Sequence, residues 1–238
     1  RLMGFFAEDC ARNYQFTRKQ QDEFAIKSLE NAINAQKMGF FENEIVPVKI
    51  TKKNKEEILI FEDQQPKRSN PIKIPVLKPA FLSDGTVTAA NSSSISDGAA
   101  ALVISSEKYA QGKNLKINAR IRGYASHAHD PGWFTTAPIP ATKKLLESLN
   151  WSAGEVDLWE VNEAFAVVPM AFMKELKIPR EKINVNGGAC SLGHPIGASG
   201  ARILVSLINS LSIRGLKKGV AAICIGGGEA LAIAIEVD

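Results

Sequence analysis

Two side chains able to move protons stand in glycine-rich surroundings late in this sequence. They are His194 in NVNGGACSLGHPIGASGAR (residues 184–202) and Cys224 in CIGGGEA (residues 224–230). Gly187, Gly188, Gly193, Gly197 and Gly200 keep bulk away from the backbone around the imidazole, so a large ligand can come close, and Pro195 stiffens the bend. Cys224 closes an apolar run that reads as a buried strand, and Gly226, Gly227 and Gly228 follow at once. An imidazole and a thiol so presented are placed to react rather than merely to pack. Other readings fit less well. A phosphate-cradling loop needs Lys-Ser/Thr after its last glycine, whereas Ala198 and Ser199 follow Gly197. Cys190 and His194 have a spacing known from zinc sites, yet no second Cys/His pair follows at a plausible distance, and no metal is expected. A lone cysteine in an apolar strand is commonly inert packing, and it is the glycines beside Cys224 that favour chemistry.

The elements that would position these residues follow from periodicity. Strands are expected at 117–124, 156–161, 183–185, 220–225 and 230–237, with helices at 141–149, 164–177 and 199–211 between them. The order β-α-β-α-β-α-β-β predicts a layered α/β domain, whose last two strands must pair antiparallel across their glycine turn. Upstream, residues 2–10 read as a loop leading into a helix. A second helix opens on a Thr17/Gln20 capping box, carries Phe24, Ala25, Ser28, Leu29 and Ala32 at helical spacing, and stops at Gly39. Strands at 44–51 and 57–61 are joined by a lysine-rich turn, and Pro66, Pro71, Pro75 and Pro79 deny the next stretch a long helix. From Gly85 the chain turns to small residues. An apolar strand at 99–105 and a short helix to Gln111, capped by Ser105 or Ser106, complete this part.

With 238 residues, 45% hydrophobic and 23% charged, the chain can bury a core and form one or two domains. The net charge of +4 is mild. Lys52, Lys53 and Lys55, with Lys67, Arg68 and Lys73, make a basic neighbourhood that could meet an anionic ligand, although a solvated hairpin accounts for the first three equally well. No aromatic residues interleave with these charges as on nucleic-acid platforms, no apolar run matches a membrane span, and no basic-then-apolar pattern opens the sequence. Three cysteines point to a reducing compartment rather than a disulfide framework. The expectation is a cytoplasmic protein without nucleic-acid or membrane partners. Because the sequence opens on Arg1 in mid-pattern, a fragment or processed piece is expected too.

The motifs around His194 and Cys224, together with WEVNEAFA (residues 159–166), resemble the C-terminal signature blocks of the thiolase family, and KPAFLSDGTVTAANSSSISDGAAA (residues 78–101) resembles a block from the middle of that family. The likeness extends back to Met3-Gly4 and Ala7-Glu8 and so spans essentially the whole chain. It implies a thiolase-like layered α/β fold: residues 1–84 a loop domain that binds coenzyme A, 85–114 the tail of the N-terminal domain, and 115–238 a complete βαβαβαββ C-terminal domain. It also implies that the family's N-terminal part, with the nucleophilic cysteine, lies outside this sequence.

The resemblance implies acyl transfer between thioesters, two acetyl-CoA giving acetoacetyl-CoA and CoA or the reverse thiolysis. In that reading His194 activates the nucleophile and donates to the enolate oxygen, Cys224 handles the α-proton, Asn162 holds a water as second donor, and Gly226 offers its N–H to a second oxyanion hole. Glu163 is assigned a structural place in the first turn of a helix, and Asn162 could double as its N-cap. Met3, Arg68, Phe81, Ala89, Ser93 and Ile95 occupy positions that resemble CoA contacts, and Phe134 one that bounds the acyl pocket. Arg68 lies in a segment shorter than the family pattern, and Leu2 replaces a histidine common beside that Met-Gly. His127 and His129 read as surface residues in a polar loop. No resident cofactor is implied, since coenzyme A is part of the substrate, and a homodimer or homotetramer is. The alternatives are a thiolase for longer 3-ketoacyl-CoA chains and an inactive CoA-binding subunit. A ketoacyl synthase would have a second histidine in place of Cys224.

Overall fold

The computed structural model describes residues 1–237; Asp238, the last residue of the expected C-terminal domain, lies outside the described residues. Two helices lead, α1 (Met3–Tyr14) and α2 (Arg18–Lys37), followed by a hairpin of β1 (Val48–Thr51) and β2 (Glu57–Ile60). The proline-rich stretch holds one turn of helix, α3 (Gln65–Arg68), and a 3-10 segment at Pro71–Val76. Then come α4 (Glu107–Gly112), β3 (Arg120–Ala128), α5 (Pro138–Leu149), β4 (Leu158–Val161), α6 (Val167–Leu176), the single turn α7 (Ala189–Leu192), α8 (Ser199–Arg214), β5 (Lys218–Cys224) and β6 (Glu229–Glu236).

The main sheet has the order β3-β6-β5-β4, with β4 and β5 parallel and the other pairs antiparallel. Strand alternation sorts its two faces. Val220, Ala222, Ala230, Ala232 and Ala234 face α5 and α6, whereas Ala221, Ile223, Ile233 and Ile235 face Ile203, Leu207 and Leu211 of α8. Trp159 of β4, buried and edge-on to Phe172 of α6, is among the largest side chains of the first core. The expected capping box on α2 forms, as Thr17 Oγ1 accepts from the Gln20 N–H (3.2 Å) and Gln20 Oε1 from the Thr17 N–H (2.9 Å). Ser106 caps α4 by accepting from the Tyr109 N–H.

Four expectations change. Residues 99–105 form no strand: the run is exposed, and among the described residues no strand pairs with it, so its β-propensity has no ladder to join. The expected strand 183–185 reduces to one parallel bridge, Ile183 to Trp159. The first helix begins at Met3 rather than after a loop. Strand β3 starts at Arg120 and runs to Ala128, where it pairs with the start of β6, so His127 lies on a strand. No helix among the described residues is long and apolar enough to cross a membrane.

Candidate active site

The parallel strands β4 and β5 end side by side, and the ends of parallel strands are where α/β sheets place their ligands. Val161 pairs with Ala222, and the Asn162 N–H continues the ladder to the Ala222 carbonyl at 3.0 Å. Asn162 is thus the first residue beyond β4, and Cys224 is the last of β5. His194 reaches this edge from the loop between α7 and α8. Its N–H donates to the Ser94 carbonyl (3.0 Å), and a parallel bridge joins it to Ile95. Gly193 makes the approach possible. Its φ is +96°, and a Cβ there would sit 2.3 Å from Ser96 Oγ. On the ring, Nε2 lies 3.5 Å from Asn162 Nδ2, and Nδ1 lies 2.6 Å from Ser199 Oγ.

Asn162 is not a helix cap, and Glu163 is not in a first turn. Residues 162–166 bend instead because segment 91–93 competes for their backbone. The Ala166 N–H donates to the Asn91 carbonyl (2.8 Å), and the Ser93 N–H and hydroxyl both donate to the Ala164 carbonyl (3.0 Å each), so α6 begins only at Val167. Glu163 does have a structural place, of a different kind. Its buried carboxylate accepts from the Ser28 hydroxyl (2.7 Å), the Asn184 amide (2.8 Å) and the Cys190 N–H (3.0 Å), tying α2 and the segment around Asn184 to α7, which leads into the loop that carries His194. A Cβ on Gly188 would meet that carboxyl at 2.2–2.6 Å.

Burial sets the protonation states. Desolvation, helped by the Arg202 cation, lowers the His194 pKa, so the ring is neutral at neutral pH and stays so somewhat below the ordinary histidine range. Burial outweighs the one backbone hydrogen bond of Cys224 and pushes its thiol up to about 12. Cys10 is pushed up to about 11 by burial, and Cys190 well above the usual thiol range by burial and by the Glu163 charge beside it. All three free thiols are buried. Their reaction with a chromogenic disulfide at pH about 8 is expected to be slow in the native chain and fast after unfolding. A thiol reacting at the rate of free cysteine before unfolding would contradict this assignment.

Several of the expected CoA-contact residues gather near the same edge. Met3 Cε approaches the turn glycine Gly226, within 3.4 Å of where its Cβ would be, and Phe81 lies over Gly4 and edge-on to Phe165. Ser93 is held against Ala164, Ile95 is almost wholly exposed next to His194, and Ala89 is exposed. Arg68 stands apart on α3, with its guanidinium turned to Gln64 Oε1 (3.0 Å). Phe134 is 2% exposed and packs edge-on to Phe6 and Phe165 in the core. An open groove lined by Ser96–Ala100 and Pro195–Ala198 flanks the His194 loop without including Asn162 or Cys224.

Residues 115–237 match the model of the thiolase C-terminal domain, and residues 1–108 that of the thiolase N-terminal domain. The chain belongs to the thiolase family. This thiolase-family chain is 49% identical over 234 residues to a probable acetyl-CoA acetyltransferase of Dictyostelium discoideum, covering 98% of itself and 56% of that protein. It is 46% identical over 237 residues to acetyl-CoA acetyltransferase 2 of Arabidopsis thaliana, covering 99% of itself and 59% of the relative. The structure superposes on the acetyl-CoA acetyltransferase of Bacillus anthracis with a TM-score of 0.96 at 46% identity, covering 100% of this chain and 60% of that one. Against an Ascaris suum thiolase in complex with coenzyme A the TM-score is 0.89 at 43% identity, with coverage of 100% and 60%. The chain therefore spans less than two thirds of the length of these relatives.

Reading the thiolase motifs alone missed three residues of this site. In the sequence Ser199 breaks a phosphate-loop pattern and opens the helix expected at 199–211, but a hydroxyl five positions after a histidine, at a helix start, is a signal in itself. Asn184 accepts from the Val161 N–H and donates to its carbonyl, both at 2.8 Å, and so replaces the missing strand pairing beside β4. Phe165, in the same EAF run as Glu163, links Phe81 to Phe134; an aromatic two residues beyond a buried acid carries no such message locally.

Proposed function

We propose that the chain carries the proton-transfer and enolate-stabilising part of a thiolase site, interconverting two acetyl-CoA with acetoacetyl-CoA and CoA. The observation that carries this reading is the placement of His194 Nε2 3.5 Å from Asn162 Nδ2, beyond the same strand ends at which Cys224 stands. Four relatives that are 44–49% identical to the chain are named acetyl-CoA acetyltransferase or probable acetyl-CoA acetyltransferase, which supports the short substrate.

In the thiolysis direction the states at rest are those the chemistry needs. Neutral His194 accepts the proton of an attacking thiol at Nε2. Cleavage of the C2–C3 bond of acetoacetyl-CoA then leaves its electron pair on the acetyl-CoA enolate, whose oxygen is met by Nε2–H and by a water held on Asn162. Asn162 Oδ1 is buried and finds no donor among the described residues, which leaves it to such a ligand. The protonated Cys224 thiol delivers its proton to C2. Condensation runs the same steps backwards, with Cys224 first losing its proton. The Gly226 N–H would serve the second oxyanion, and Met3, Phe81, Ala89, Ser93, Ile95 and, least securely, Arg68 would receive the CoA. The reading takes residues 1–84 as the CoA-binding loop domain, 85–114 as the tail of an N-terminal domain and 115–238 as the C-terminal domain, with Phe134 at the acyl side. Neither Cys10 nor Cys190 suits the acyl acceptor, both being buried and raised in pKa, so we assign that role to a thiol from outside these 238 residues. A homo-oligomer without a resident cofactor belongs to the proposal, and so does the cytoplasm, where free thiols persist.

Deuterium wash-in at C2 of acetyl-CoA in heavy water tests the reading, because it asks only for the base and the enolate donors. The chain is expected to accelerate it, and His194→Ala to lose about 10²–10⁴ of that acceleration. Absence of wash-in together with absence of CoA binding would sink the proposal.

A further inference from the structure

Ser199 is fully buried in the first turn of α8, and its hydroxyl is engaged on two sides. Its Oγ lies 3.0 Å from the Pro195 carbonyl oxygen and 2.6 Å from His194 Nδ1. The Pro195 oxygen, which also accepts from the Ala198 and Ser199 N–H groups (2.8 and 2.9 Å), is one acceptor within reach of the hydroxyl hydrogen and the ring nitrogen is the other; with the hydrogen on Pro195, an Oγ lone pair is left facing the ring. Nδ1 must then bear a hydrogen, and in a neutral imidazole that leaves Nε2 bare. The other side of the ring agrees, because Nε2 faces the Asn162 amide nitrogen, which can only donate. We infer that Ser199 is a positioning residue: its hydroxyl, polarised by Pro195, fixes His194 as the Nδ1–H tautomer and keeps Nε2 as the proton acceptor. The catalytic consequence rests on the proposed thiolase reading, while the tautomer itself does not.

A serine near a helix start often bonds the carbonyl four residues back simply to satisfy its own hydroxyl. That role would leave the imidazole tautomer indifferent to Ser199, and this difference is measurable. The chain holds three histidines, His127, His129 and His194, so a ¹⁵N-histidine sample can be assigned with His194→Gln. At pH about 8, above the ordinary histidine range, wild-type His194 is expected to show a protonated Nδ1 and an unprotonated Nε2. In Ser199→Ala the ring is expected to shift toward the Nε2–H form, and in Ser199→Thr, which keeps the hydroxyl, to remain Nδ1–H. C2 wash-in by Ser199→Ala is expected to fall by roughly 10–100-fold with little change in the acetyl-CoA KM, because the base is held in the wrong form rather than the substrate lost. A wild-type ring protonated on Nε2, or an Nδ1–H ring unchanged in Ser199→Ala, overturns the inference. Should Ser199→Ala fail to fold, Ser199→Gly and the wild-type tautomer decide. Since no turnover enters the tautomer measurement, a chain inactive toward acetyl-CoA would count against the thiolase reading and not against this one.

Discussion

Glu163→Ala is expected to lower the unfolding free energy of the chain by about 3–5 kcal/mol, the range for breaking a buried charged network from one side. The carboxylate accepts from Ser28, Asn184 and the Cys190 N–H, and none of these donors has water to turn to. Removing the acceptor strands the backbone N–H of Cys190, leaves the Ser28 hydroxyl with Ser191 Oγ (3.0 Å) as its remaining acceptor, and opens a cavity against Gly188. The Arg180 guanidinium, mostly buried and within electrostatic reach of Glu163, also loses a counter-charge. Glu163→Gln should cost less, about 1–3 kcal/mol, because it keeps the shape and one acceptor but turns an NH₂ toward a donor. Urea unfolding of the three proteins checks the order. An alanine variant within about 1 kcal/mol of wild type would show that the network is a consequence of the fold and not a support for it.

Cys224→Ser should remove about 10²–10⁴ of any C2 exchange, the usual weight of one acid–base group. Burial already lifts the thiol to about 12, and the same surroundings act on a hydroxyl that is a weaker acid to begin with. Neither its anion nor its proton is then available on the timescale of turnover. Stability should change far less than rate, by about 1–3 kcal/mol for placing a hydroxyl in the apolar first core opposite Ala230. Measuring both quantities on one preparation separates a lost proton carrier from a loosened strand end. Undiminished exchange in a folded Cys224→Ser chain would remove the cysteine from the mechanism.

Much of the layered domain was legible because its elements state their own periods. Helix α8, the capping box of α2 and the β5–β6 hairpin with its glycine turn needed no tertiary information. What stayed hidden depended on partners. The run 99–105 has the composition of a strand but nothing to pair with, and β3 runs on to Ala128 because β6 is long enough to receive it. The site divided in the same way. His194, Asn162 and Cys224 stand in motifs, so their meeting at one sheet edge was foreseeable. Local sequence assigned Glu163 to a helix that starts four residues later, since the competing bonds from Asn91 and Ser93 arrive from 75 and 71 residues away in the chain.

The uncovered run at 99–105 also bears on how this 238-residue chain is expected to behave among its own copies. It holds no charge and no proline, and Val103 and Ile104 are 101% and 72% exposed. A strand-prone segment with an open backbone is a template for the same segment of a neighbour, and pairing there needs no unfolding of the core. The charges that flank it, Asp97 on one side and Glu107 and Lys108 on the other, act as gatekeepers against that stacking. Self-association of the 238-residue chain is therefore expected to respond to these three charges and to the salt that screens them.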